Sequence, residues 1–148
     1  MRVEELKNGS RAVVVLPGPV DAAACRALED TLRTLPDHLK EVVLMLEPGA
    51  RIVEAAVPSL TRVWRGLVRR EVRTVFVSNR ALQRDVARGV MADAGDSRST
   101  VTVSRAIAEE WLAQARKRRR RGSDTLTQME AMEAVQSRMK SLRDSVGE

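Results

Sequence analysis

The segment Val53–Leu60 (VEAAVPSL) has the residue types of a helix N-terminus that could bind an anion. Glu54 is acidic, Pro58 favours the first turn of a helix, and Ser59 carries a hydroxyl. Backbone N–H groups at such a position can hold a negative charge. No nucleophile paired with a base lies in the segment. It therefore predicts a binding site, a site that has lost its chemistry, or an ordinary helix start.

Catalytic chemistry has few candidate residues elsewhere in the chain. His38 is the only histidine, and no serine or cysteine lies at the spacing of a nucleophile–base pair. Cys25 is the only cysteine and falls on an apolar helical stripe, where a thiol usually acts as a small hydrophobic group. These two residues give no metal-ligand motif, and Pro17-Gly18-Pro19 does not match a phosphate-binding loop. We expect a protein that is not an enzyme and has no cofactor or metal.

The net charge of +6 is concentrated in one segment. Residues 1–115 contain 17 basic and 15 acidic side chains, and residues 122–148 contain 3 basic and 5 acidic ones. The six residues between them are all basic: Arg116, Lys117, Arg118, Arg119, Arg120 and Arg121. This run predicts binding to nucleic acid, binding to anionic lipid head groups, or a solvated linker. Because no aromatic residues interleave with it, polyanion binding is the alternative function rather than the leading one.

Strands and helices alternate along the first 115 residues. Short apolar runs bounded by turn residues predict strands at Val3–Leu6, Arg11–Leu16, Glu41–Leu46, Arg73–Ser78 and Ser99–Val103. Apolar residues at helical spacing predict helices at Ala22–Leu35 with Asp21 as cap, from about Pro58, from the cap Asn79 to Ala94, and after the cap Ser104. This order predicts an α/β fold: a single mixed sheet of about five strands with about four helices, and a C-terminal helical extension.

Some side-chain positions within these elements are also predicted. Lys7-Asn8-Gly9-Ser10 predicts a hairpin turn, since Asn-Gly tolerates positive φ. In the third helix, the residues predicted to face the core are Leu82, Val86 and Val90. Both tryptophans, Trp64 and Trp111, are predicted to anchor their helices inward.

The chain is predicted to comprise a domain over residues 1–115, a basic linker over 116–123 and an amphipathic helix over 124–148. The tail helix has an apolar seam of Met132, Val135, Met139, Leu142 and Val146. Two heptads are too few for an isolated coiled coil, so we expect the tail to dock on its own domain, on a partner or on a second copy. The sequence contains no run of 18 apolar residues, so no membrane span is predicted. The first residues also lack the apolar region of a signal peptide. We therefore expect a soluble, cytoplasmic protein.

The run VVVLPGPVDAAACRALEDTL resembles the opening strand, glycine turn and first helix of STAS domains, the fold of bacterial anti-sigma-factor antagonists. The resemblance continues through EVVLMLEPGARIVEAAVPSLTRVW, RTVFVSNRALQRDVARGVMADAG and TVTVSRAIAEEW. It covers about residues 1–112. It implies a regulatory signalling adaptor whose partner is an ATPase-fold protein, of switch-kinase or ABC-transporter type.

The resemblance also implies where the partner binds and how binding is controlled. The implied partner-binding residues are Glu47, Arg51, Glu54, Ala55, Ala56, Ser59 and Arg62. Many family members are switched by phosphorylation of a Ser or Thr at this helix start, and here Ala55 and Ala56 occupy those positions. Alanine has no oxygen to phosphorylate, so the usual switch is expected to be absent. An alignment shifted by a few residues would make Ser59 or Thr61 the phosphoacceptor.

Overall fold

The structure is a computed structural model that describes residues 1–120. The chain divides after Glu109 into two units, and the first, Met1–Glu109, contains the whole sheet. The predicted helix over 124–148, with its seam from Met132 to Val146, lies outside the described residues.

Five strands and four α-helices follow one another in the predicted order. The strands are β1 (Arg2–Leu6), β2 (Arg11–Leu16), β3 (Glu41–Leu46), β4 (Arg73–Val77) and β5 (Thr100–Thr102). The helices are α1 (Ala22–Thr34), α2 (Val57–Arg69), α3 (Ala81–Asp93) and α4 (Arg105–Arg120), and a 3₁₀ turn, η1 (Glu54–Ala56), precedes α2. The prediction of an α/β fold with a single mixed five-stranded sheet and four helices is confirmed.

The strands lie in the sheet in their sequence order, β1-β2-β3-β4-β5. β1 is antiparallel to β2, and every later pair is parallel. The predicted hairpin joins β1 to β2, with Asn8 and Gly9 at φ 59° and 83°. β2 and β3 lie inside the sheet and are covered on both faces, which is why their sequences are continuous apolar runs rather than alternating ones.

Three helices share one face of the sheet. Parallel strands in sequence order, joined by crossovers of one hand, place each crossover helix on the same side. The core on this side joins residues of α1, α2 and α3 to alternate residues of β2 and β3: Ala12, Val14, Leu16, Val42, Leu44 and Leu46. Trp64 is fully buried there, as predicted, and its indole Nε1–H donates to Asp96 Oδ2 at 2.8 Å. That bond ties α2 to the turn before β5.

The opposite face of the sheet is also buried, and it carries charge. Val13, Val43 and Val75 have no exposed surface there. Arg11 and Glu41, the first residues of β2 and β3, are paired in register, so their side chains project to the same face. The Arg11 Nη2–H group donates to Glu41 Oε1 at 2.9 Å, and both side chains are buried.

The first turn of α4 is attached to this second face by two ion pairs. Arg11 also donates to Glu109 of α4. Arg105, at the start of α4, donates from Nη2 to Glu4 Oε2 on β1 at 2.8 Å. Ser104 precedes the helix as predicted, and its Oγ accepts the Ile107 N–H at 3.3 Å. α4 then continues through residue 116, where the basic linker was predicted to begin, without a break.

The predicted inward face of α3 is partly wrong. Leu82 is 65% exposed, whereas Gln83 and Ala87 are buried. The helix is therefore rotated by about one residue, roughly 100°. Asn79 is not the cap: Arg80 takes that position without a side-chain bond, and the Ser78 hydroxyl accepts the Arg80 N–H at 3.2 Å. The rotation brings the Gln83 amide to a buried backbone partner, the Ile52 N–H.

Replacing Arg11 with methionine is expected to lower the free energy of unfolding by about 3 kcal/mol, because it removes the guanidinium that faces the buried Glu41 carboxylate. Urea denaturation of the full-length protein measures the change. The double variant Arg11→Met, Glu41→Leu removes both charges and is expected to be more stable than the single variant. An exposed ion pair contributes less than about 1 kcal/mol. If Arg11→Met alone lowers the free energy of unfolding by no more than that, a structural role for this ion pair is contradicted.

Candidate partner-binding surface

The candidate site lies at the carboxyl edge of the parallel strands, where the chain leaves β3. In open sheets of parallel strands, loops that follow the strands gather at this edge, and binding sites form there. The loops concerned are residues 17–20 after β2, 47–53 after β3 and 78–80 after β4. The β3–α2 connection, residues 47–56, contains most of the predicted site residues.

A tight turn starts this connection. The Glu47 N–H donates to Leu16 O at 3.1 Å, so the backbone at Glu47 still continues the sheet. The Ala50 N–H then donates to Glu47 O at 2.9 Å. Gly49 has φ +86°, which suits the third position of a type II turn, and Pro48 fits its second position. The turn leaves the side chain of Glu47 exposed at the edge.

Residues 51–53 are hydrogen-bonded to two other parts of the chain. Ile52 forms a parallel bridge with Val20: the Val20 N–H donates to Arg51 O at 2.7 Å, and the Val53 N–H donates to Val20 O at 3.0 Å. Between these bonds, the Ile52 N–H donates to Gln83 Oε1 at 2.7 Å. Ile52, Val20 and Gln83 are all buried. The loop is therefore fixed to the β2–α1 connection on one side and to α3 on the other.

The helix start follows at once. η1 covers Glu54–Ala56, and α2 begins at Val57 with αR backbone angles. The sequence predicted a helix from about Pro58, and Pro58 is the second residue of α2. The first N–H groups of a helix have no partner within it, so the missing N–H of proline costs nothing there.

The predicted binding residues differ in exposure. Glu47, Arg51, Glu54, Ala55 and Arg62 are exposed and Ser59 is half-buried; together these six residues are called the loop–α2 surface below. Ala56 is 1% exposed and lies beneath this surface. Its carbonyl oxygen is 4.0 Å from Cys25 Sγ on α1.

The two hydroxyls considered as phosphoacceptors have different surroundings. Thr61 is buried, and its Oγ1–H donates to Val57 O at 2.8 Å, one turn earlier in α2. Ser59 is half-buried in the first turn of α2. Of the two, Ser59 is the more accessible to another protein.

The residues considered for catalysis lie apart. Burial raises the pKa of the Cys25 thiol, the nearby Asp21 carboxylate raises it further, and Arg62 opposes the shift. The thiol therefore stays protonated near neutral pH and packs as an apolar group. His38 is exposed, and its Nε2 lies 2.6 Å from Asn8 O in the β1–β2 hairpin. The hairpin precedes β2, so His38 lies at the opposite end of the parallel strands from the loop–α2 surface.

Part of the basic run lies within α4. Arg116, Lys117, Arg118, Arg119 and Arg120 are helical, with Lys117 and Arg118 exposed. Arg121 lies outside the described residues. Consecutive helical residues are about 100° apart, so Arg116, Lys117 and Arg118 point around the helix rather than along one stripe.

Sequence reasoning missed Gln83, the residue that fixes the loop. No local pattern marks Gln83, because its partner, the Ile52 N–H, lies 31 residues earlier in the chain. It also missed the burial of Arg11 and Glu41, which begin the two most apolar strands.

Among residues 1–120, no three His, Cys, Asp or Glu side chains gather where they could hold a metal ion. Over the same residues, none of the helices combines the length and apolar character needed to cross a membrane. Comparison of the sequence with models of known protein families gives no match, and comparison with curated proteins gives none either.

Replacing Gln83 with leucine is expected to lower the free energy of unfolding by about 1–3 kcal/mol, because the buried Ile52 N–H loses its acceptor. Alkylation of Cys25 by iodoacetamide should also become faster, since loosening of the loop and η1 uncovers the thiol. The matched control is Leu82→Gln on the exposed neighbouring position, which should change stability by less than about 0.5 kcal/mol. Equal effects of the two substitutions would show that Gln83 does not hold the loop.

Proposed function

We propose that this protein is a non-catalytic adaptor of STAS type, which binds a regulatory partner protein through the loop–α2 surface. The observation that carries the proposal is the set of hydrogen bonds that hold Ile52 and its neighbours to Val20 and Gln83. It fixes the exposed residues before and after Ile52 in one conformation. A surface that is fixed before binding loses little conformational entropy when a partner docks.

The order of elements supports the STAS assignment. The resemblance over about residues 1–112 implies a strand pair followed by alternating helices and strands, and β1 to α4 follow that order. The resemblance places the family's recognition site at the start of its second long helix. In this chain the loop–α2 surface occupies that position.

The charges on this surface favour a protein partner over nucleic acid. Glu47 and Glu54 are exposed, as are Arg51 and Arg62, so both signs are present on this surface. Carboxylates repel phosphates, whereas a mixed surface can match the charges of another protein and reject wrong partners. The resemblance implies an ATPase-fold regulator as the partner.

The two positions that the resemblance assigns to the phosphorylation switch carry no hydroxyl in this chain. Ala55 is exposed but carries only a methyl group, Ala56 is buried, and the Thr61 hydroxyl is buried within α2. We infer that binding here is not toggled by phosphorylation at the family's usual position. The adaptor would then be controlled by the abundance or the state of its partner.

A photo-crosslinking amino acid in place of Ala55 tests the proposed surface. In lysate of the native cells, the full-length protein is expected to crosslink to one protein, identified by mass spectrometry as having an ATPase fold. The control places the same amino acid at Asp37, which is exposed at the opposite end of the sheet. A specific crosslink from position 37 with none from position 55 would contradict the proposal.

A second candidate function is binding of nucleic acid or anionic lipid through Arg116–Arg121. The observation that favours it is the continuity of α4 through Arg120, with Lys117 and Arg118 exposed. A helix holds these charges close together, and a local field of one sign attracts polyanions.

Replacing residues 116–121 with glutamine separates the two candidates, since glutamine removes the charge and preserves helix propensity. If the adaptor proposal is correct, the Ala55 crosslink persists at wild-type yield in this variant. The alternative predicts loss of binding to labelled duplex DNA or anionic vesicles, and that binding in the wild-type protein should weaken steeply with salt. Loss of the Ala55 crosslink in the glutamine variant would contradict the adaptor proposal.

A further inference from the structure

A second surface lies between α1 and α2, away from the turn at Glu47. It is a groove of about 330 Å³. Its floor is formed by Leu32, Val63, Gly66 and Leu67, and its rim by Glu29, Arg33, Arg62, Arg69 and Arg70. A volume of this size lies at the lower end of the range for ligand sites, which suits one or two inserted side chains.

The floor of the groove is left open by Gly66. A Cβ atom at this position would have no heavy atom within 4 Å. Glycine in a helix interior is less favourable than alanine, and no positive φ requires it here. α2 thus has glycine, a weak helix former, at the position where any side chain would begin to fill the groove.

The rim of the groove is positively charged. Arg33 and Arg62 are 71% and 68% exposed, and both approach the Glu29 carboxylate, at 2.6 Å and 3.6 Å. Glu29 thus shows that a carboxylate fits between these two guanidinium groups. Arg33 also lies 3.9 Å from Asp30, a weak contact between exposed groups. Arg69 is exposed and has no ion-pair partner within residues 1–120.

The remaining arginine shapes the groove. Arg70 donates from Nη1 to Leu32 O at 2.8 Å and from Nη2 to Pro36 O at 3.0 Å. These bonds join the C-terminal end of α2 to the last turn of α1 and to Pro36 just after it. The width of the groove is therefore fixed at this end. The rest of the rim consists of Arg33 and Arg62, which share the Glu29 carboxylate, and of Arg69. All three are exposed, so they can also contact a ligand.

We propose that the α1–α2 groove docks an acidic amphipathic helical segment of a partner protein. An apolar side chain of the segment would lie over Gly66, against Leu32, Val63 and Leu67. Flanking carboxylates would lie against Arg33, Arg62 and Arg69. A helix laid in a groove between two helices, with apolar anchors inside and charges at the rim, is a common mode of peptide recognition. This goes beyond the loop–α2 surface, with which the groove shares only Arg62.

The choice of a peptide rests on the combination of floor and rim. Leu32, Val63 and Leu67 are at most 5% exposed, so the floor can take an anchor only in the open space above Gly66. An apolar side chain can enter that space, whereas a nucleic acid would use only the arginines, and an uncharged helix would leave the arginine rim unmatched. A segment with leucine-like side chains on one face and glutamates beside them satisfies both. Charge complementarity of this kind speeds association and fixes orientation.

The test uses a stapled helical peptide with leucines on one face and glutamates on both flanks, labelled for fluorescence anisotropy. The full-length protein is compared with Gly66→Met, which fills the groove, and with the matched control Gly66→Ala. Binding is expected to weaken about tenfold or more in Gly66→Met, as for a lost interface anchor. Gly66→Ala should bind nearly as the wild type does. Urea denaturation should show both variants at least as stable as the wild type, since each replaces a helical glycine.

Four further measurements complete the test. Arg33→Gln with Arg62→Gln should weaken binding and reduce its dependence on salt, and a peptide with glutamine in place of glutamate should bind poorly. Equal affinity of Gly66→Met and the wild type would overturn the proposal, because the acidic peptide would then be held elsewhere, for example by residues 116–121. Displacement of the peptide by a DNA oligonucleotide, or self-association of the protein that Gly66→Met abolishes, would assign the groove to another occupant. Failure here would leave the Ala55 crosslink intact, so the two proposals are tested separately.

Discussion

The hydrogen bond from the Ile52 N–H to the side chain of Gln83 is the constraint on which the candidate site depends. The chain must pass from the end of β3 to the start of α2 over the core, and there the Ile52 N–H is removed from water. A buried N–H without an acceptor costs about 1–3 kcal/mol, so the position of α3 and the path of the loop are set together. The flanking bonds to Val20 extend this link to the start of α1. Two connections and the first turn of α3 thus form a single unit at one edge of the sheet.

The arginines of this protein serve several different purposes. Arg11 is buried in an ion pair between β2 and β3, Arg70 holds the ends of α1 and α2 together, and Arg84 donates to Ser78 O at 2.9 Å at the end of β4. These side chains stabilise the fold and are not available to a ligand. The basic composition is therefore weak evidence for nucleic-acid binding, and the positions that matter are the few exposed arginines beside a groove or a loop. Arg62 is one of them and borders both proposed surfaces.

Local sequence patterns predicted the elements well, because each pattern has a local physical cause. Arg11–Leu16 and Glu41–Leu46 were predicted to the residue, since interior strands covered on both faces require unbroken apolar runs bounded by turns. The Asp21 cap was predicted correctly because capping involves only neighbouring residues, and Asp21 Oδ1 accepts the Ala24 N–H at 2.8 Å. These features need no knowledge of the tertiary fold.

Features that depend on distant residues were not predicted. Gln83 is inward because of a backbone group 31 residues earlier in the chain, and helical periodicity alone favoured Leu82. The Arg11–Glu41 pair becomes visible only once β2 and β3 are placed in parallel register. The burial of Ala56 and the groove beside Gly66 depend on how α1 packs against α2. The sequence thus located the segment of the candidate site, whereas its exposed side chains followed from long-range packing.

The central claim is that residues 51–53 are held rigidly before any partner binds. Amide hydrogen exchange of the full-length protein, followed by NMR, measures this directly. The amides of Ile52 and Val53 should exchange almost as slowly as those of Val43 and Val75 in the central strands, because their bonds open only when the surrounding core opens. Exchange of Ile52 and Val53 as fast as that of the exposed Gly49 would contradict the account, since the loop would then not be fixed in the free protein.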